Sequence, residues 1–200
     1  MRLAVRARNA DAWHRSGCYA DGMADGTQAP AVFHEEQRFT QWWLWVIIVS
    51  ICAFWCWTFI EQIIQGHPVG DNPAPDWMVV TILAVAGLGL PALLGSCRLI
   101  TEVRPEGLYV QFIPFHWRPL LFSYGDIASC LAVRYSPLMD YGGWGIKAGR
   151  GGKAYNVSGN LGVRLELTSG RHLLIGSRHP VEVAEAIQRM MDSQSRSARP

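Results

Sequence analysis

Two apolar runs without a single charged residue, Trp42 to Ile60 and Trp77 to Cys97, constrain this chain more than any other feature. Each is close to the ~20 residues that an α-helix needs to cross the hydrocarbon core of a bilayer. The segment between them, Glu61 to Asp76, is rich in Gly, Pro and acid and holds neither Lys nor Arg. The pattern predicts a transmembrane helical hairpin, with spans at about 42–62 and 77–97, that crosses the bilayer, turns in water and returns.

The flanks agree with that reading. Of nine Trp, Trp42, Trp43, Trp45 and Trp77 stand where the runs begin. An indole joins an apolar body to one polar N–H, so these four are the expected anchors at the headgroup boundary. Orientation follows Lys and Arg in short flanks. Arg38 precedes the first span, Arg98 and Arg104 follow the second, and the turn has no base. Both termini are therefore expected in the cytoplasm, with the protein a multi-pass component of the cell (inner or plasma) membrane. Gly87, Gly89, Pro91 and Gly95 in the second span predict a small-residue packing face with a kink near the proline. Neither span carries a charge, and two helices enclose no pore, so transport by this chain alone is not expected.

Before the hairpin, residues 1–32 read as a disordered tail, with Met1 and Met23 both open as the start. No apolar stretch follows the early arginines, so a signal peptide is not expected. His34 to Phe39 reads as a polar lead-in, a helix lying at the interface, and 33–98 forms one lead-in-plus-hairpin segment. From residue 99 to 192 the pattern becomes that of a compact β domain. Leu108, Val110 and Phe112 alternate with Tyr109 and Gln111, and Val163 to Thr168 alternates before Ser169-Gly170 turns it into Arg171 to Ile175. Leu99 to Val103, Leu120 to Ser123 and Ile127 to Arg134 are further strands. Pro180 opens a final helix, with Glu182 and Glu185 in its first turn and Val183, Ile187, Met190 and Met191 on one stripe. Residues 193–200 read as a flexible tail.

The segments Thr101-Glu102-Val103-Arg104-Pro105-Glu106-Gly107-Leu108, Ser123-Tyr124-Gly125-Asp126-Ile127 and Gly143-Trp144-Gly145-Ile146 carry a family likeness. So do Ala154-Tyr155-Asn156-Val157-Ser158-Gly159-Asn160 and Ile175-Gly176-Ser177-Arg178-His179-Pro180. With Glu35 to Phe39, they span roughly Phe33 to Met191. In this order the chain resembles uncharacterised bacterial membrane proteins that join a two-helix hairpin to a cytoplasmic domain like the pleckstrin-homology (PH) fold. The resemblance implies an α+β membrane protein whose hairpin precedes a PH-like antiparallel β-barrel or sandwich capped by a C-terminal helix. It implies no reaction.

The chemical motifs point the same way. The glycine-rich stretch Tyr141 to Lys153 fails as a phosphate-binding loop: Lys147 stands where the first Gly is needed, and Ala154 follows Lys153 in place of Ser or Thr. No G-x-S-x-G, H-E-x-x-H or C-x-x-C occurs. The five Cys and six His never fall at metal-ligand spacing. Cys52 and Cys56 share a helix face as ordinary packing. No catalytic residue, cofactor or metal is expected, and no basic stripe suits nucleic acid. Trp144, Lys147, Arg150, Lys153 and Tyr155 are the only aromatic and basic residues that converge outside the spans, and form the candidate contact surface for anionic lipid or a protein partner. The expected role is a noncatalytic interaction or scaffold protein presenting its cytoplasmic PH-like domain to the lipid surface or to a protein partner, which includes a second copy of itself. An accessory subunit of a larger membrane complex and a membrane enzyme with an unrecognised site stay open as alternatives.

Overall fold

The computed structural model describes residues 18–19, 30–149 and 152–197. The chain divides into two compact units: Phe39–Cys97, and a second unit gathered from the segments on either side of it. Most of the expected N-terminal tail lies outside the described residues, as does Arg150.

The first unit is a pair of helices, α1 (Trp42–Ile64) and α2 (Asp76–Ser96), of 23 and 21 residues. Both are long and apolar enough to cross a membrane. They bury little: Ile48, Thr58, Val79 and Gly87 are enclosed, while Val46, Ile47, Val49, Phe54, Trp57, Val85 and Leu88 face outward. The turn is tied by Gln62, whose Nε2 donates to the Ala74 carbonyl at 2.6 Å and to the Asp76 carboxylate at 2.9 Å. In α2 the backbone widens to π-helical turns over Leu83–Gly89, directly before Pro91. A proline has no N–H for the carbonyl four residues earlier, which here is Gly87. The Cys52 thiol of α1 donates to that carbonyl at 2.9 Å. Cys52 thus ties α1 to the backbone of α2 beside the π-helical segment.

The second unit is built on two open five-stranded sheets. Its strands are β1 (Cys18–Tyr19), β2 (Phe33–Arg38), β3 (Arg98–Arg104), β4 (Gly107–Ile113), β5 (Leu120–Phe122), β6 (Ile127–Arg134), β7 (Gly145–Gly149), β8 (Gly152–Asn156), β9 (Leu161–Leu167) and β10 (His172–Gly176). The orders are β1-β5-β4-β3-β2 and β6-β9-β10-β8-β7. All pairings are antiparallel except β8 with β10, which run parallel. Neither the closed barrel nor the purely antiparallel sandwich of the expected fold is formed. The parallel pair arises because β9 and β10 already make a hairpin, so β8 docks on β10's other edge in the same direction.

Leu99, Val103, Leu108, Val110 and Phe112 on one sheet, with Val163, Leu165, Leu173, Leu174 and Ile175 on the other, are buried in the core. Short helix α3 (Pro137–Tyr141) follows β6, and α4 (Pro180–Ser197) packs on β6 and β9. Val183, Ala186 and Ile187 are its buried stripe. Residues 193–197, expected to be loose, continue the helix, with Arg196 in the last turn where a cation complements the dipole.

The largest departure from expectation is the lead-in. Phe33–Arg38 is no interfacial helix: it is β2, paired in full register with β3 from Phe33↔Val103 to Arg38↔Arg98. The two apolar helices are therefore an excursion between neighbouring strands of one sheet, and the β unit begins before the hairpin rather than at residue 99. Alternation explains the segment: Glu35 and Gln37 point inward, while His34, Glu36 and Arg38 point out. The buried Glu35 carboxylate accepts from the Ser177 hydroxyl at 2.6 Å and from the Arg178 N–H at 2.8 Å. The Gln37 Nε2 donates to the Gly176 carbonyl at 2.8 Å.

Substitutions in each unit check these contacts. Glu35→Ala leaves two interior donors unpaired and is expected to cost roughly 2–4 kcal/mol, against less than about 1 kcal/mol for Glu36→Ala at the surface. Equal melting of the two variants in mild detergent would mean that β2 is not docked as described. Gly87 is buried and its carbonyl is met by Cys52 of the other helix, so Gly87→Leu should overpack this contact and destabilise the helix pair by roughly 1–3 kcal/mol. Val85→Leu, exposed on α2, should stay near wild type in the same detergent unfolding assay.

Candidate contact site

Of the residues expected to form one contact surface, Lys147, Lys153 and Tyr155 lie on the strands of a β-hairpin, and Trp144 stands just before it. β7 and β8 pair antiparallel, with Lys147 opposite Ala154 and Ala148 opposite Lys153. Neighbours along a strand face opposite ways, so Lys147 shares Ala154's face and Lys153 takes the other. Tyr155, on the strand beside Lys153, is 1% exposed and belongs to the core. The Trp144 indole N–H donates to the Gly159 carbonyl at 3.1 Å. Arg150 lies outside the described residues. The structure therefore does not gather these residues into one patch.

The glycines of this stretch serve close backbone approach. Gly152 has φ +97°, and a Cβ there would run into the His172 carbonyl. At Gly149 a Cβ would lie 2.7 Å from the Asp140 carbonyl.

Lys153 and Tyr155 instead meet His116. The Lys153 ammonium lies over the Tyr155 ring at 5.0 Å, and the His116 ring meets that tyrosine edge-on at 5.5 Å. His116 Nδ1 accepts from the Phe112 N–H at 3.2 Å. Burial first, and the Lys153 charge second, hold His116 below its ordinary 6.5. Burial also lowers Lys153.

A recess where polar groups converge lies on the outer face of the first sheet. A groove of about 190 Å³ is lined by His34, Glu102, Arg104, Tyr109 and Gln111, among others. His34 and Glu102 are cross-strand partners, joined at 2.9 Å. Glu102 also holds Arg104 at 2.6 Å, and that guanidinium lies 5.2 Å from the Tyr109 ring centre. The arrangement offers a half-buried, charge-compensated row of donors and acceptors beside an aromatic face. Sequence periodicity passes over it because β2, which supplies His34, has no apolar alternation to mark it as a strand.

Two groups with reactive potential, Asp140 and Cys130, sit in structural surroundings. The Asp140 carboxylate accepts from the Ser136 N–H at 2.8 Å, closing the start of α3. Burial pushes the Cys130 thiol up to about 12, which leaves it un-ionised at neutral pH. Among the described residues, no group of three or more His, Cys, Asp and Glu is placed to hold a metal ion.

The expected membrane anchors are outward on α1 and α2: Trp42 is 76% and Trp77 69% exposed, and Trp43 is exposed as well. Trp45 is half-buried, its indole N–H donating to the Phe39 carbonyl at 3.0 Å. Of the expected packing residues, Gly87 is enclosed and Gly95 lies against the Trp45 ring, whereas Gly89 faces outward and Pro91 is half-buried.

Residues 26–194 match a family of unknown function, DUF6141. The chain belongs to this family. The match covers both sheets from β2 onward, the two apolar helices and most of α4, so the excursion between β2 and β3 lies within the DUF6141 segment. None of the curated proteins matches the chain in sequence.

The sign of the His116 shift sets a pH dependence for this DUF6141 protein. The folded state binds that proton less readily than the unfolded chain, so stability present above the ordinary 6.5 is lost as pH falls through that value towards the folded one. The melting temperature should drop between about pH 7.5 and about pH 5.5. The drop should shrink in Lys153→Gln, which removes the neighbouring charge, and lose His116's share in His116→Gln. An unchanged slope in His116→Gln would assign the effect to other groups.

Proposed function

We propose that this protein is a noncatalytic interaction module fixed to a bacterial cell membrane, with α1 and α2 crossing the bilayer and the β unit on the cytoplasmic side. The observation that carries this reading is the pairing of β2 with β3 across the whole apolar excursion. A helix pair long and apolar enough to span leaves and re-enters one sheet at adjacent strands, so the β unit is tethered at two points. A double tether suits a domain whose position at the membrane matters. The β unit is proposed as a divergent PH-like domain: two sheets and a C-terminal helix support the likeness, although the sheets stay open.

The contact site proposed for a protein partner is the groove of His34, Glu102, Arg104 and Tyr109, which takes the place of the dispersed Trp144–Tyr155 set. The test is affinity purification in mild detergent with wild type and Arg104→Ala. Partners that co-purify with both alike would move the contact elsewhere. An accessory-subunit role has a weaker basis, because Gly87, the enclosed small residue of α2, is engaged by Cys52 within the pair.

Orientation is proposed from the bases. Arg38 and Arg98 stand at the two points where the sheet gives way to the helices, and the turn carries none. A reporter active only outside the cytoplasm should work near Gly70 and fail after Arg189. The reverse pattern would put the β unit outside the cytoplasm.

A further inference from the structure

The β4–β5 connection, Pro114 to Pro119, carries two outward aromatic side chains on a fixed turn. Trp117 is 95% exposed and Phe115 57%, and Arg118 beside them is exposed as well. The turn is held from within. The His116 N–H donates to the Phe112 carbonyl at 2.8 Å, the His116 carbonyl accepts from Gln111 at 3.0 Å, and the His116 ring packs against Tyr155. With His116 turned inward, its neighbours Phe115 and Trp117 are presented to the outside.

Register fixes which end of the sheet this is. Arg38 pairs with Arg98, and Arg98 pairs with Ile113. The three residues form one row across β2, β3 and β4, with strands roughly 4.8 Å apart. By chain connectivity alone, that row is where the polypeptide departs for α1 and returns from α2: Trp42 follows Arg38 by four residues, and Ser96 precedes Arg98 by two. The loop starts at the residue after Ile113. The opposite end of the sheet, the β3–β4 turn at Pro105-Glu106, lies the length of a seven-residue strand away, roughly 20 Å.

An indole standing almost wholly in water is costly, and Trp beside a base is the composition of the interfacial layer. We infer that Phe115 and Trp117 insert into the headgroup layer of the same bilayer that α1 and α2 cross, making this loop a third attachment of the β unit to the membrane. The inference rests on the proposal that the two helices span.

The test places a benzophenone-bearing photoreactive residue at position 117, 106 or 85 of the full chain, reconstituted in phosphatidylethanolamine–phosphatidylglycerol vesicles. Val85 faces outward on α2 and reports spanning; Glu106 is the exposed control at the far end of the sheet. After illumination, lipid adducts are expected at 85 and 117, with none above background at 106. Adduct at 85 without adduct at 117, adduct at 117 to protein instead of lipid, or equal adduct at 106 and 117 would each overturn the loop's role while leaving the spanning reading intact. No lipid adduct at 85 would remove the spanning reading and this inference with it.

Discussion

One buried carboxylate ties the molecule's beginning to its end. Glu35 sits on an edge strand, yet its side chain reaches inward to the Ser177 hydroxyl and the Arg178 backbone, more than 140 residues later in the chain. A carboxylate taken from water is tolerable only when its lone pairs are met. Ser177 is itself fixed, accepting from the His179 N–H at 3.0 Å just before α4 begins. Gln37, two residues along the same face, reaches the Gly176 carbonyl at the end of β10. These bonds join the two sheets at one corner by polar contacts of fixed geometry, where apolar side chains would have given adhesion without register. Because β2 also delivers the chain to α1, the same corner fixes where the apolar excursion departs.

Elements with ordinary patterning are legible in the sequence, and those that invert it are not. β4 and β9 alternate apolar and polar residues and α4 shows its stripe at Val183 and Ile187, so periodicity locates these three, while the Ser169-Gly170 turn after β9 locates β10. The two apolar helices are legible from length and composition. β2 is hidden, since its inward residues are Glu35 and Gln37 and its outward ones are charged. A hydropathy pattern sees only a polar segment there. The usable signal is complementarity, with Phe33 to Arg38 matching β3 through His34↔Glu102 and through Glu36, which lies 3.7 Å from Arg98. β7 and β8 are hidden for a different reason. Their glycines look like loop chemistry, although Gly149 and Gly152 permit close passage beside the Asp140 and His172 carbonyls within regular strands.

The candidate site suffers from both failures. Lys147, Arg150 and Lys153 are close in sequence, and a loop would have let them converge. A hairpin separates Lys147 from Lys153 onto opposite faces, while Tyr155 belongs to the core. The groove residues, in contrast, come from the consecutive strands β3 and β4 and from β2, which is distant in sequence: His34 lies 68 residues before Glu102. Only the register of β2 on β3 and of β3 on β4, where Glu102 faces Tyr109, lines them up.

That register poses its own closure problem. Pairing Arg38 with Arg98 encloses about 60 residues, and the length-dependent part of the closure entropy is roughly 3–4 kcal/mol for a flexible chain. The excursion is not flexible. Once α1 and α2 have packed as antiparallel neighbours, with axes about 8–10 Å apart, the two chain ends are already near the spacing of adjacent strands. The helix pair thereby lowers the entropic cost of the β2–β3 ladder. The reverse also holds, because a formed ladder brings together the first turn of α1 and the last turn of α2. Each unit preorganises the other through covalent connection alone, with no interface between them required. The clamp on Glu35 cannot close until Ser177 and Arg178 are in place, so the corner that joins the two sheets depends on the chain having been built as far as the entry to α4.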